Sequence, residues 1–195
     1  MLDILNSCRA LIKGIDENIK KIDGVVLVDE NGLKYINEMH IEIDGMILNI
    51  DVVGVEKSAI MSLIFSRTLN NEIKNVVIGI DYGEKIGLAV LVNSDIVFIN
   101  SYRDRAIVLK IIKMFIDSID SARKIVRIGL PTRPHKGYND FVSKLTNSIG
   151  DNVVIEFISE NGSSRRKIGI NDKKIDEDSL AAINIALQRV YNDEI

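Results

Sequence analysis

The spacing of apolar residues changes character along the chain. Residues 1–22 place Leu2, Leu5, Leu11, Ile12, Ile15, Ile19 and Ile22 at helical intervals, and Asp23-Gly24 stops the run, so a helix is expected. The next stretches, VVLVDENGLKYIN and MHIEIDGMILNIDVVG, hold short apolar or alternating runs around two turn signals, Glu30-Asn31-Gly32 and Asp44-Gly45. That pattern predicts four short antiparallel strands. Residues 55–71 read as a further helix, with Asn70-Asn71 as its end. No internal repeat or low-complexity segment is evident.

The pattern shifts at Asn75. VVIGIDY is a short apolar run suited to a buried strand, and IGLAVLV and DIVFINSY follow through tight connections. Residues 104–119 form an amphipathic helix, KIVRIGLP a fourth strand stopped by Pro131, and residues 138–148 a helix. NVVIEFISE is a fifth strand, and a last helix covers 177–191. Three meandering strands followed by helical crossovers predict an α/β fold with a mixed five-stranded sheet flanked by helices. The first and fourth strands should lie side by side with the fifth beyond, so the ends of strands one and five are the places to look for chemistry. The domains implied are a small α+β region over 1–74 and an α/β domain over 75–195.

Composition refines this picture. The 195 residues are 46% hydrophobic and 27% charged, enough for a substantial core and unlike a disordered chain. No apolar run reaches membrane-spanning length, and the first 21 residues carry acids that a signal peptide lacks, so no membrane is expected. The one cysteine, Cys8, cannot close an internal disulfide, and a cytoplasmic location is the default. The net charge of −3 argues against a nucleic-acid binder until its distribution is considered. Residues 121–175 hold 11 basic and 5 acidic side chains, so positive charge gathers in one stretch. A solvated surface would account for it equally well.

Three segments have the makings of a site. In IGIDYGEKIGLAV, Asp81 ends an apolar strand, where a carboxylate is costly unless paired or bound to a cation; capping of the hairpin is the plain alternative. In VVIEFISENGSSRR, strand alternation groups Glu156, Ile158 and Glu160 on one face. The following loop offers Ser163, Ser164, Arg165 and Arg166 to phosphate oxygens, with Lys167 beside them; an ordinary polar loop is the alternative. In KKIDEDSLAAINIALQRV, Asp176, Glu177 and Asp178 open a broad-faced apolar helix. Acids are favoured there by the helix dipole alone, yet one of them, Asp178 before Asp176, would face the strand ends. Three carboxylates from strand one, strand five and the last helix suit Mg2+ or Mn2+, which take hard oxygen ligands. Cys8, His40 and His135 stand apart from one another and give no zinc cluster.

These segments, in this order, resemble the RuvC and YqgF (RuvX) branch of the ribonuclease H-like superfamily over residues 76–195. IGIDYGEKIGLAV is similar to the branch's opening Asp-x-Gly-x-Lys-x-Ile-Gly-x-Ala, and VRIGLP with Gly137 and Phe141 to the YqgF Gly-Leu-Pro strand and helix. ISENGSS is similar to the Asp-Glu-Arg strand end with its threonine pair, and DSLAAINIAL to the closing Asp-x-x-Ala-Ala helix. The resemblance implies a ribonuclease H-like fold in which Asp81, Glu160 and Asp178 are catalytic and hold the metal with Asp176. It also implies that Lys85 touches phosphate, and Arg133 and Lys136 join the basic residues expected to meet nucleic acid. Asn161 replaces the usual arginine, serines replace the threonines, and the fourth strand ends Leu130-Pro131-Thr132 without the acid of RuvC resolvases. The chain is thus closer to YqgF.

The expectation is a metal-dependent endonuclease acting on structured nucleic acid, either pre-rRNA or branched DNA such as a Holliday junction. The alternative from another class is a non-catalytic nucleic-acid-binding or assembly protein on the same fold, whose acidic N-terminal region would supply a partner or homodimer interface. A sugar-kinase or actin-like phosphate-binding fold also opens with Asp-x-Gly, but Glu84-Lys85-Ile86 and the chain length disfavour it.

Overall fold

The computed structural model describes residues 14, 18–68, 72–120, 123–131, 136–159 and 175–188. The chain divides into two compact units, Met1–Glu72 and Ile73–Ile195. No helix among the described residues is long and apolar enough to cross a membrane.

The first unit differs from the four antiparallel strands expected. Strand β1 (Lys21–Val28) and strand β2 (Glu42–Asn49) run parallel, joined through helix α1 (Glu30–Glu38). Parallel neighbours require a crossover of about a dozen residues, and α1 with its flanks supplies it. Glu30-Asn31-Gly32 is therefore a helix start rather than a hairpin turn. The Asp29 carboxylate accepts from the Gly32 N–H at 2.6 Å, and Asp51 accepts from the Glu30 N–H at 2.8 Å, so early helix amides are satisfied from outside. Ile36 then packs with Val26, Val28 and Ile41.

Asp44-Gly45 is not a turn either. Ile22-Asp23-Gly24 lies in register with Ile43-Asp44-Gly45, and a Cβ on Gly45 would overlap the Gly24 carbonyl. The glycine is there for a close crossing of two strands, not for a reversal of the chain. The helix expected over 1–22 is corrected at its end, because Lys21 and Ile22 belong to β1; most of that segment lies outside the described residues. Helices α2 (Ile50–Val53) and α3 (Val55–Arg67) complete the unit. Helix α3 stops before Asn70: the Thr68 hydroxyl donates to the Ile64 carbonyl at 2.9 Å and its backbone turns extended.

The second unit follows the expected order. Strands β3 (Asn75–Tyr82), β4 (Ile86–Val92) and β5 (Asp95–Tyr102) form an antiparallel meander. Helix α4 (Arg105–Ser118), strand β6 (Arg123–Leu130), helix α5 (Tyr138–Ser148), strand β7 (Val153–Ser159) and helix α6 (Glu177–Leu187) follow. The sheet order is β5-β4-β3-β6-β7, with β6 parallel to both β3 and β7. This is an α/β fold with a mixed five-stranded sheet flanked by helices.

The two faces are dressed differently. All seven residues of β4 are buried, as a central strand covered on both sides should be. On one face aromatic rings meet: Phe98 of β5 lies 5.5 Å from Phe115 of α4, and Tyr82 of β3 lies 5.1 Å from Phe141 of α5. Near the end of α4 the buried Lys124 amine donates to the Ile116 carbonyl at 2.8 Å, a cation meeting exposed helix carbonyls.

Among the described residues the other face carries α6, and the contact is built from small residues. A Cβ on Gly79 would overlap the Ala182 carbonyl and crowd Ala186, and one on Gly87 would overlap the Asp178 carbonyl. Ala89, Leu91, Ala182, Ile183 and Ala186 form the core of this contact. At the far end of the helix, Arg127 donates to the Ala186 carbonyl at 2.6 Å and to Glu156 at 2.7 Å. The strands have no side chain at 79 or 87 because helix backbone occupies the place of one. Gly79→Ala should lower unfolding free energy by about 2 kcal/mol or more through overpacking, measured by urea unfolding of the full chain. An unchanged midpoint would show that α6 does not sit this close.

Candidate functional site

Strand register fixes which side chains share the end of the sheet beneath α6. Asp81, next to last in β3, stands directly opposite Gly87 of β4, and Gly87 stands opposite Ser101 of β5. Residues opposite one another across a ladder project from the same face. The missing Cβ of Gly87 points at the Asp178 backbone, so Asp81 and Ser101 project from the face on which the first turn of α6 is seated. Two of the acids singled out in the sequence, Asp81 and Asp178, are thus brought to one end of one face. Both are half-buried.

Asp176 has a different position. It is the N-cap of α6, with one carboxylate oxygen accepting from the Ser179 N–H at 3.0 Å and the other from the Ser179 hydroxyl at 2.9 Å. The Ser101 hydroxyl donates to it as well. Its partial burial works to raise the carboxyl pKa, but the hydrogen bonds from Ser179 and Ser101 outweigh that and hold it below the ordinary value. The capping role weighed against metal binding in the sequence is therefore present at Asp176. Through Ser101 this residue also ties the helix start to β5.

Lys85 is half-buried in the turn after β3, where the Gly83 N–H donates to its carbonyl at 3.1 Å. Lys136 is exposed just before α5, and its carbonyl accepts from Arg105 at 3.0 Å and from the Tyr82 hydroxyl at 3.5 Å. Both flank the carboxyl end of β3, Lys136 on the face opposite α6. Glu160, Arg133, Ser163, Ser164, Arg165, Arg166 and Lys167 lie outside the described residues. The strand face that alternation assigned to Glu160 is the α6 face: Glu156 pairs there with Arg127, and Ile158 is buried. Among the described residues no group of three or more His, Cys, Asp or Glu is placed to hold a metal ion.

Sequence reading missed Ser101 and Arg105. The Arg105 guanidinium sits 5.5 Å from the centre of the Tyr82 ring, and Tyr82 packs edge-on against Tyr138 with centroids 5.3 Å apart. Burial pushes the Tyr82 phenol above its usual range, with Arg105 opposing. This aromatic layer backs the sheet on the side opposite Asp81. The signal for Ser101 was a hydroxyl at a strand end, too common to single out.

No family model matches the chain, and no curated protein does. Among solved structures, the ethanolamine utilization protein EutJ from Carboxydothermus hydrogenoformans aligns over 87% of this chain at 13% identity and a TM-score of 0.28. The chain covers 66% of that protein's length, and a score this low carries no fold argument.

Asp176→Ala should cost about 1 kcal/mol at neutral pH by removing the cap. A carboxyl whose pKa is depressed by folding contributes stability above its unfolded value of about 3.9, and that contribution fades as pH falls through the lower folded value. The parent and the variant should therefore differ most above about pH 4 and converge below it, followed by urea unfolding across pH. A gap that widens in acid would contradict the hydrogen-bond assignment.

Proposed function

We propose that residues 75–195 are a magnesium- or manganese-dependent endonuclease with a ribonuclease H-like fold, acting on structured nucleic acid. One observation carries the reading: register sets Asp81 on the sheet face and at the strand end where the first turn of α6 brings Asp178. Acidic residues brought to the same strand end supply the hard oxygen ligands that a divalent cation takes. Mg2+ is commonly held by one or two carboxylates and keeps several waters, so the pair fits such an ion.

In this reading Asp81 and Asp178 would hold the metal, with Glu160 expected as the third carboxylate. Asp176 keeps the helix start in place beside these ligands through its bonds to Ser179 and Ser101. A bound ion would supply an activated water and offset charge on the phosphoryl oxygens. Lys85 and Lys136 flank the strand end and contact the phosphates of the substrate, joined by Arg133, Ser163, Ser164, Arg165, Arg166 and Lys167. The resemblance to the RuvC and YqgF branch supports the substrate class, without separating pre-rRNA from branched DNA.

The test is cleavage of four-way junction DNA, single strands and structured RNA with Mg2+ or Mn2+. Asp81→Asn and Asp178→Asn should each lower the rate on the order of 10²-fold or more while leaving unfolding cooperative. Equal cleavage by Asp81→Asn and the parent would overturn the mechanism. Tight, salt-sensitive binding with no turnover under any metal would favour a nucleic-acid-binding or assembly protein instead.

A further inference from the structure

On the face of the sheet opposite α6, a cavity of about 430 Å³ opens between the start of α4 and α5. Its lining includes Arg103, Arg105 and Lys144, the carboxylates Asp104 and Asp140, and the ring of Phe141. The carboxylates are already engaged within the protein. Asp104 caps α4 by accepting from the Ala106 N–H at 2.8 Å, and Asp140 pairs with Lys144 at 2.9 Å along α5. The cations retain more capacity. Arg103 is exposed and, among the described residues, has neither a hydrogen bond nor an ion pair. Arg105 spends one nitrogen on the Lys136 carbonyl. The Lys144 pair is solvent-exposed on both sides, so it is weak and open to exchange.

The cavity is also connected to the strand end that bears Asp81. Tyr82, the next residue, packs against Phe141, whose ring lines the cavity, and against the Arg105 guanidinium. Arg103 follows Tyr102, which pairs with Ile86 one step beyond the Gly87–Ser101 pair. Cations thus run from Lys85 and Lys136 at the strand end to Arg103, Arg105 and Lys144 in the cavity.

We propose that this cavity binds the phosphodiester backbone of a single nucleic-acid strand on its way to or from the carboxylate pair. Arg103 and Arg105 offer forked donors that match phosphate oxygens, and Lys144 turns from Asp140 to the same polyanion. Backbone contacts of this kind fix the register of the strand and are indifferent to sequence. DNA and RNA share the phosphodiester, so either strand should bind. The proposal rests on the nucleic-acid reading above, but not on catalysis.

The experiment is fluorescence anisotropy of labelled oligo(dT) and oligo(rU) with the full chain, without divalent metal, across a salt series. Arg103→Glu/Lys144→Glu should weaken binding by about tenfold or more and flatten the salt dependence, since each lost phosphate contact removes one unit from the salt slope or nearly so. Arg103→Lys, which keeps the charge and loses the fork, should bind more tightly than the glutamate variant and less tightly than the parent. Lys113→Glu/Arg123→Glu changes net charge equally at exposed positions late in α4 and at the start of β6, outside the cavity lining, and should bind normally. The melting transition of each variant should stay cooperative, because none of these side chains is buried.

Unchanged affinity in the cavity variant, or equal weakening in the distant control, would overturn the proposal. So would a parent that binds neither oligonucleotide. Loss of binding in the cavity variant of a protein that never cleaves would leave the cavity standing and remove the nuclease reading. Asp81-dependent cleavage with undiminished binding in that variant would do the reverse.

Discussion

The close seating of α6 on a bed of glycine is the constraint on which the rest of the second unit depends. Helices usually stand off a sheet by the thickness of two layers of side chains. Here the strands contribute no side chain at Gly79 or Gly87, and the helix contributes Ala182 and Ala186. The gain is dispersion contact between backbones, and the loss is the conformational freedom that glycine gives up on folding. The approach decides the position of the helix along the strands as well as its height, because only those positions can receive it. Asp178 is brought to Gly87, and so to Asp81, by this fit.

Polar ties then hold the helix at both ends. Asp176, bonded to Ser179 and Ser101, fastens the start of α6 to β5, while Arg127 binds the Ala186 carbonyl and Glu156 near its end. The Arg127–Glu156 pair is largely buried, with side-chain exposures of 13% and 19%, so it adds less net stability than its short distance suggests. Its effect is positional. Removing one partner would leave a charge stranded under the helix, so alternative placements of α6 are penalised. A carboxylate site needs that kind of fixity, since the geometry of ligands depends on supports that do not slide.

The second unit was legible in the sequence because its signals are local. Tight connections separate IGIDY, IGLAVLV and DIVFINSY, and a single buried run such as IGLAVLV has few other ways to fold. The first unit was not, because Asp44-Gly45 and Glu30-Asn31-Gly32 have two physical meanings. An Asp-Gly pair marks a hairpin only when the chain reverses, and here the glycine serves a close parallel crossing. Asp29 with Gly32 three residues on is equally a helix start, and the Leu33–Ile36 spacing was the available clue to α1. At the site, Asp81 could be read from its place after an apolar strand. What could not be read was the seating of Asp178, which depends on the sheet order and on α6 finding Gly79 and Gly87. Glycines inside β-branched strands were the overlooked sign of a backbone lying against them. Nor could the sequence decide which of three neighbouring acids caps the helix; the Ser179 hydroxyl makes it Asp176.

Asp81 and Asp178 are proposed to share one divalent cation beneath the first turn of α6. The most direct test of that sharing is anomalous diffraction from crystals of the full chain soaked in Mn2+. A single strong peak, or a close pair, is expected, bonded to carboxylate oxygens of both residues. Side chains of residues 81 and 178 turned apart, with manganese bound elsewhere or nowhere, would contradict it.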